Sequence, residues 1–119
     1  MIYASSSIAL SCLETVVHLD AGDLPLNRYL VSIEIPDNVW EAKNILNRND
    51  HVGWDAIPAG ITSLEAGNRW AAEGTSAVLL VPSVIVPEEN NVLINPAHPE
   101  ALQIQAKKIR RWTYDARFR

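Results

Sequence analysis

Apolar and polar positions along this chain follow two rhythms, and the change from one to the other marks its elements. Ile8, Cys12, Leu13, Val16, Val17 and Leu19 recur at helical spacing, while Ser5, Ser6 and Ser7 offer hydroxyl caps for the unpaired amides of a first turn. That predicts a strand end at Ile2 to Ala4, a serine turn, and a helix to about Leu19. Asp20 to Asn27 (DAGDLPLN) then has the Gly, Pro, Asp and Asn content of a loop. From Arg28 to Ile35 the residues alternate instead. Tyr29, Val31, Ile33 and Ile35 share one face, and Leu30, Ser32 and Glu34 the other, which predicts a half-buried strand closed by Pro36.

Asp37 to Leu46 predicts a short helix carrying Val39 and Trp40, and 47–60 reads as an irregular segment pinned by Trp54 and Ile57. Thr62 and Glu65 stand at capping-box spacing and open a helix to Gly74, with Leu64 and Trp70 on its apolar face. Ala77 to Val81 is apolar without alternation, as in a strand covered on both faces. Pro82 cannot donate to a sheet ladder, so it belongs at a bulge or strand end and leaves Ser83 at a kink. Val84 to Val86 resume the apolar run until Pro87, and Val92 to Ile94 forms another short strand. Pro99 to Ala106 predicts a helical turn or two, and Lys108 to Tyr114 a last strand with Trp112 and Tyr114 on one face. Without regular β-α-β spacing, the fold class is α+β: a small mixed or antiparallel sheet core with flanking helices. At 119 residues it is one domain, large enough for a core that needs no staple.

Charge narrows the function. The chain has 10 Lys and Arg against 14 Asp and Glu, a net charge of -4, which argues against direct nucleic-acid binding through a broad basic face. The end is locally basic, with Lys107, Lys108, Arg110, Arg111, Arg117 and Arg119; an anionic ligand, an acidic partner or plain solvation would each suit it. The single cysteine, Cys12, excludes a disulfide framework and a Cys-based zinc site and points to a reducing, cytoplasmic compartment. Ala77 to Val81, the longest apolar run, is far too short for a membrane span. His18, His51 and His98 sit in unlike contexts, and His98 reads as a loop-locking residue rather than a metal ligand. Gly-rich phosphate loops, a G-x-S-x-G elbow and H-E-x-x-H are absent. Composition leaves a Ser, His and acid triad open, and nothing selects one.

Two positions stand out chemically. Glu14 is the sole carboxylate in the run from Tyr3 to His18 and has no ion partner on its own helix, which makes it either a functional acid or a solvated edge residue. Ser83 is a hydroxyl delivered by a buried strand to a proline-defined kink, though a turn serine bonding its own backbone is the plainer reading.

Read in order, IYASSSIALSCLETVVHL, LPLNRYLVSIEIP, WDAIP and GNRWAAEGTSAVLLVPSVIVPEENNVLINPAHP resemble the RES domain, the toxin half of a family of bacterial toxin-antitoxin pairs. The resemblance implies an ADP-ribosyltransferase-like fold. It implies NAD+ as substrate rather than bound cofactor, destroyed by hydrolysis or phosphorolysis of the nicotinamide glycosidic bond, or used to transfer ADP-ribose to a protein. It also implies an Xre-type helix-turn-helix antitoxin that covers the active site. By matching motifs Glu14 takes the family's glutamate, Ser83 its serine, and Tyr3 a tyrosine the family uses. A negative charge beside the ribose suits a bond that leaves an oxocarbenium-like sugar, Tyr3 would stack on nicotinamide or ribose, and Ser83 would hydrogen-bond the ribose or carboxamide.

The family's arginine has no counterpart by motif, and Arg28 does not match it. The expectation is therefore an N-terminally incomplete domain with weakened pyrophosphate binding, or a remnant that only binds its antitoxin. An uncovered strand edge near Tyr3 adds the expectation of self-association.

Overall fold

The computed structural model describes residues 1–17, 27–46 and 61–118. Its main sheet has the strand order β1-β5-β4-β3, built from β1 (Ile2–Ser5), β3 (Asn44–Ile45), β4 (Val78–Pro82) and β5 (Asn90–Ile94). Only β3 and β4 run parallel; β1 pairs with β5 and β5 with β4 antiparallel. The second sheet is a ribbon of β2 (Arg28–Glu34) against β6 (Gln105–Trp112). With α1 (Ile8–Val16), α2 (Asp37–Glu41), α3 (Ile61–Glu73) and a short 3-10 turn at Pro99–Gln103, this is the expected α+β fold with a mixed sheet.

The unbroken apolar run makes β4 central because it has two faces to bury. One face carries Leu79 and, across the ladder, Leu93, which pack with Leu46 and Trp70 of α3. The other carries Val78 and Val92, packed on Ala77 and Val39, with Ile35, Trp40 and Ile104 around them. Trp70 is anchored as well as buried: its indole N–H donates to Ser76 Oγ at 2.9 Å, and Ser76 donates to the Val78 carbonyl at 2.8 Å. Both ends of this unit are closed by chain chemistry. Helix α3 stops at Gly74, whose φ of +64° lies in the left-handed region that glycine takes most readily. Pro82 ends β4 at no cost in ladder bonds. Ser83 N–H donates to the Glu89 carbonyl and Leu46 N–H to the Leu80 carbonyl, so even-numbered residues of β4 face β3, which has already ended by Pro82.

Several boundaries differ from the sequence reading. Helix α1 ends at Val16 rather than near Leu19, and α3 begins at Ile61, which puts Thr62 inside the first turn instead of at the cap. The stretch expected as helix to Leu46 splits into the five-residue α2 and the short edge strand β3. Val84 to Val86 form no strand, because the Ser83 hydroxyl accepts hydrogen bonds from the Ile85 and Val86 amides and wraps the chain into a turn. Along β2, Tyr29 and Val31 are exposed although they were expected on the buried face. Only the Ile35 end of that segment packs on the main sheet; the beginning of the ribbon forms one side of a cleft. Strand β6 runs from Gln105 and ends at Trp112, before Tyr114, yet the two rings still meet edge to face with centroids 6.1 Å apart. The loop expected over 20–26, the segment of Trp54 and Ile57, His18, His51 and the side chain of Leu64 lie outside the described residues. No described helix is long and apolar enough to cross a membrane.

Candidate functional site

Serine chemistry positions the first half of the site. Ser7 is the N-cap of α1, its hydroxyl accepting from the Leu10 amide at 3.1 Å while donating to Glu89 at 3.3 Å. Leu10 is 1% exposed and holds the helix to the body. Glu14, one turn further along that side of α1, is half-buried. Its Oε1 accepts two hydrogen bonds from neutral donors, Ser83 Oγ at 2.7 Å and Asn91 Nδ2 at 2.9 Å. Its Oε2 accepts none among the described residues, so the negative charge is oriented by one oxygen and presented by the other.

Ser83 is 1% exposed, and four hydrogen bonds lock it. Its amide donates to Glu89, its hydroxyl donates to Glu14, and the same oxygen accepts from Ile85 and Val86 at 3.1 Å each. The turn-serine reading and the site reading are thus both realised by one hydroxyl. Asn91 was missed from sequence. Its Oδ1 accepts from Ser5 Oγ at 2.8 Å, so Ser5, Asn91, Glu14 and Ser83 form one continuous polar chain across β1, β5, α1 and the end of β4. The signal was present in an asparagine pair within a strand, where that residue is disfavoured unless its amide is used.

Tyr3 stands apart from that chain. It pairs with Leu93 in the ladder, is 73% exposed, and makes no hydrogen bond to a described residue. It lines a cleft of about 1110 Å³ between α1 and the edge strand β1 on one side and the β2–β6 ribbon on the other. Glu14 and Ser83 are not in the cleft lining, but Ser5 is, and two hydrogen bonds carry from it to the Glu14 carboxylate. The phase of β1 matters here. Ser6 N–H donates to its register partner Asn90, so Ile2 and Ala4 bond β5, whereas the amides and carbonyls of Tyr3 and Ser5 point out along the other edge, which no described strand pairs.

Five aromatic residues line the cleft: Tyr3 on the β1 side, and Tyr29, Trp40, Trp112 and Tyr114. Cys12 also lines it, and burial pushes its thiol up from the ordinary value, so it stays protonated and a poor nucleophile near neutral pH. Of the cations around the ribbon, Lys43, Lys108 and Arg110 lie over the rings of Trp40, Tyr29 and Trp112. Arg111 donates to Asn27 Oδ1 at 2.9 Å. Arg117 pairs with Asp115 at 2.7 Å, and its hydrogen bonds hold that exposed carboxyl below the usual carboxylate range. Among the described residues no group of three His, Cys, Asp or Glu side chains is placed to hold a metal ion.

Fold and site together define an α+β domain with an aromatic-walled cleft beside a carboxylate held by uncharged donors. The RES domain profile matches residues 1–117. A Sphingobium protein named Prs ADP-ribosylating toxin is 59% identical over 118 residues, covering 98% of this chain and 73% of the relative. A protein of Yersinia enterocolitica named Toxin Res is 39% identical over 82% of this chain, and one of Pseudomonas putida with the same name is 38% identical over 85%. The chain belongs to the RES domain family. It spans 62% of the Yersinia relative and 68% of the Pseudomonas one.

Proposed function

We propose that the chain is the toxin component of a toxin-antitoxin pair, working in the cytoplasm on NAD+. The observation that supports this most directly is Glu14, a half-buried charge fixed through Oε1 with Oε2 left to act. In the proposed reaction the bond between the ribose C1′ and the nicotinamide nitrogen breaks, and nicotinamide departs neutral with the bonding pair. The ribose becomes oxocarbenium-like, and the Glu14 carboxylate stabilises the developing positive charge. An acceptor oxygen or other nucleophile then bonds to C1′ and gives up its proton. Water gives hydrolysis, phosphate gives phosphorolysis, and a protein side chain gives ADP-ribosylation. The name of the Sphingobium relative, 59% identical, favours the last. Tyr3 serves as a stacking surface in the cleft, and Ser83 acts by holding Glu14.

Nicotinamide is released in all three outcomes, so incubating the protein with NAD+ alone, with added phosphate, and with the Prs protein named for the Sphingobium relative separates them by free ADP-ribose, a phosphorylated ADP-ribose and labelled protein. No nicotinamide release under any of these conditions, from protein that melts cooperatively, would sink the reading.

A second reading keeps the fold and drops the turnover: a module that only binds an Xre-type antitoxin. The absence of Glu14 from the cleft lining favours it. Stable capture of the antitoxin without nicotinamide release supports this second reading, whereas an antitoxin that suppresses measurable release supports the first. Self-association belongs to either reading, supported by an edge of β1 that no described strand pairs, beside exposed Ile2, Tyr3 and Ile8. A sedimenting species of monomer mass at micromolar concentration would remove it.

A further inference from the structure

Arg28 does not match the family's arginine by motif, yet the fold puts it in the cleft lining. It opens β2 opposite Trp112 and, among the described residues, is the one charged side chain lining the cleft. The remaining lining is apolar, aromatic or hydroxyl-bearing, so a ligand there meets ring faces and serines but a single formal charge. Arg28 is exposed, and its side chain has no hydrogen bond, ion pair or ring contact to another described residue, unlike the neighbouring Arg110, Arg111 and Lys108. The cleft volume, about 1110 Å³, is ample for a dinucleotide.

We propose that Arg28 is the anion-binding residue of this cleft and takes the pyrophosphate of a nucleotide substrate through its planar guanidinium fork. The assignment rests on the NAD+ reading for the identity of the ligand, but not for the existence of the anion site. A guanidinium binds two oxygens of a phosphate in parallel, which a lysine ammonium, a point charge, does not reproduce. Aromatic residues lining the cleft beside one cation suit a ligand that carries both flat bases and charge. Nothing covalent happens at Arg28; it positions the substrate and leaves bond breaking to the carboxylate.

Calorimetric titration of the full chain with ADP-ribose, inorganic pyrophosphate and adenosine tests this, using wild type, Arg28→Ala, Arg28→Lys and, as a control for general basicity, Lys107→Ala. Arg28→Ala is expected to weaken ADP-ribose and pyrophosphate by about tenfold to a hundredfold, the span of one charge-assisted contact. Arg28→Lys recovers part of that loss, while adenosine binding and Lys107→Ala stay at wild-type values. If Arg28→Ala binds ADP-ribose as wild type does, the assignment is overturned and the NAD+ reading stands. An equal loss for adenosine also overturns it, since the phosphate would not be what Arg28 recognises. Arg28-dependent pyrophosphate binding without ADP-ribose binding supports the anion site and overturns the nucleotide reading. Wild type that binds neither overturns both.

Discussion

Glu14 and Ser83 lie 69 positions apart and meet at 2.7 Å. The hydroxyl that donates to the carboxylate also accepts two backbone amides, so Ser83→Ala removes one hydrogen bond from Glu14 and strands Ile85 and Val86. The expected cost is about 1–3 kcal/mol in a urea melt, with a fall in nicotinamide release that persists at temperatures where the variant is fully folded. A variant as stable as wild type would show that the turn does not depend on this oxygen.

Charge at Glu14 is separable from its hydrogen bonds. In Glu14→Gln the amide oxygen still accepts from Ser83 and Asn91, so stability should change by about 1 kcal/mol or less. Release of nicotinamide should drop about 100-fold or more, because a neutral amide gives little stabilisation to a positive sugar. Unchanged turnover in this variant would remove Glu14 from the chemistry.

Two buried apolar residues separate fold from site. Leu10 is 1% and Val39 0% exposed, so Leu10→Ala should cost about 2–5 kcal/mol and Val39→Ala about 2–3 kcal/mol. Leu10 lies one turn from Glu14 on α1, whereas Val39 packs on the far face of the sheet. Assayed at a temperature where both are folded, the Leu10 variant should lose more activity than the Val39 variant; equal losses would mean that α1 is not what positions the acid.

The thiol of Cys12 sets a pH dependence. Burial raises its folded-state value, so the unfolded chain gives up this proton first as pH climbs. The contribution to stability is complete below the ordinary thiol value and is lost as pH rises through the raised one. Alkylation of the folded protein at mildly alkaline pH should be slower than in denaturant, and a Cys12→Ala variant should show a flatter stability profile there. Equal alkylation rates in the two states would contradict the burial argument.

How much of this was legible follows from what each residue touches locally. The serine cap before Ile8, the buried run at Val78 and the strand end at Pro82 depend on near neighbours, and they were readable. Glu14 stands out as a lone carboxylate and Ser83 as a hydroxyl at a proline-defined kink, and the family resemblance gives both their roles, but their direct contact is a tertiary fact no spacing encodes. Asn91 was overlooked because its partners, Ser5 and Glu14, are on other elements. Tyr29 and Val31 were misassigned because alternation says which residues share a face, not whether anything covers it. Motif matching passes over Arg28 because it is blind to the ribbon that carries this residue to the cleft.

The outward-facing peptide groups of Tyr3 and Ser5 carry a lesson for mutagenesis. A molecule that contacts them is read by amides and carbonyls common to every non-proline residue, so replacing those side chains one at a time leaves the contacts in place. Only proline, which deletes the donor, or an ester in place of the amide would expose what that rim contributes.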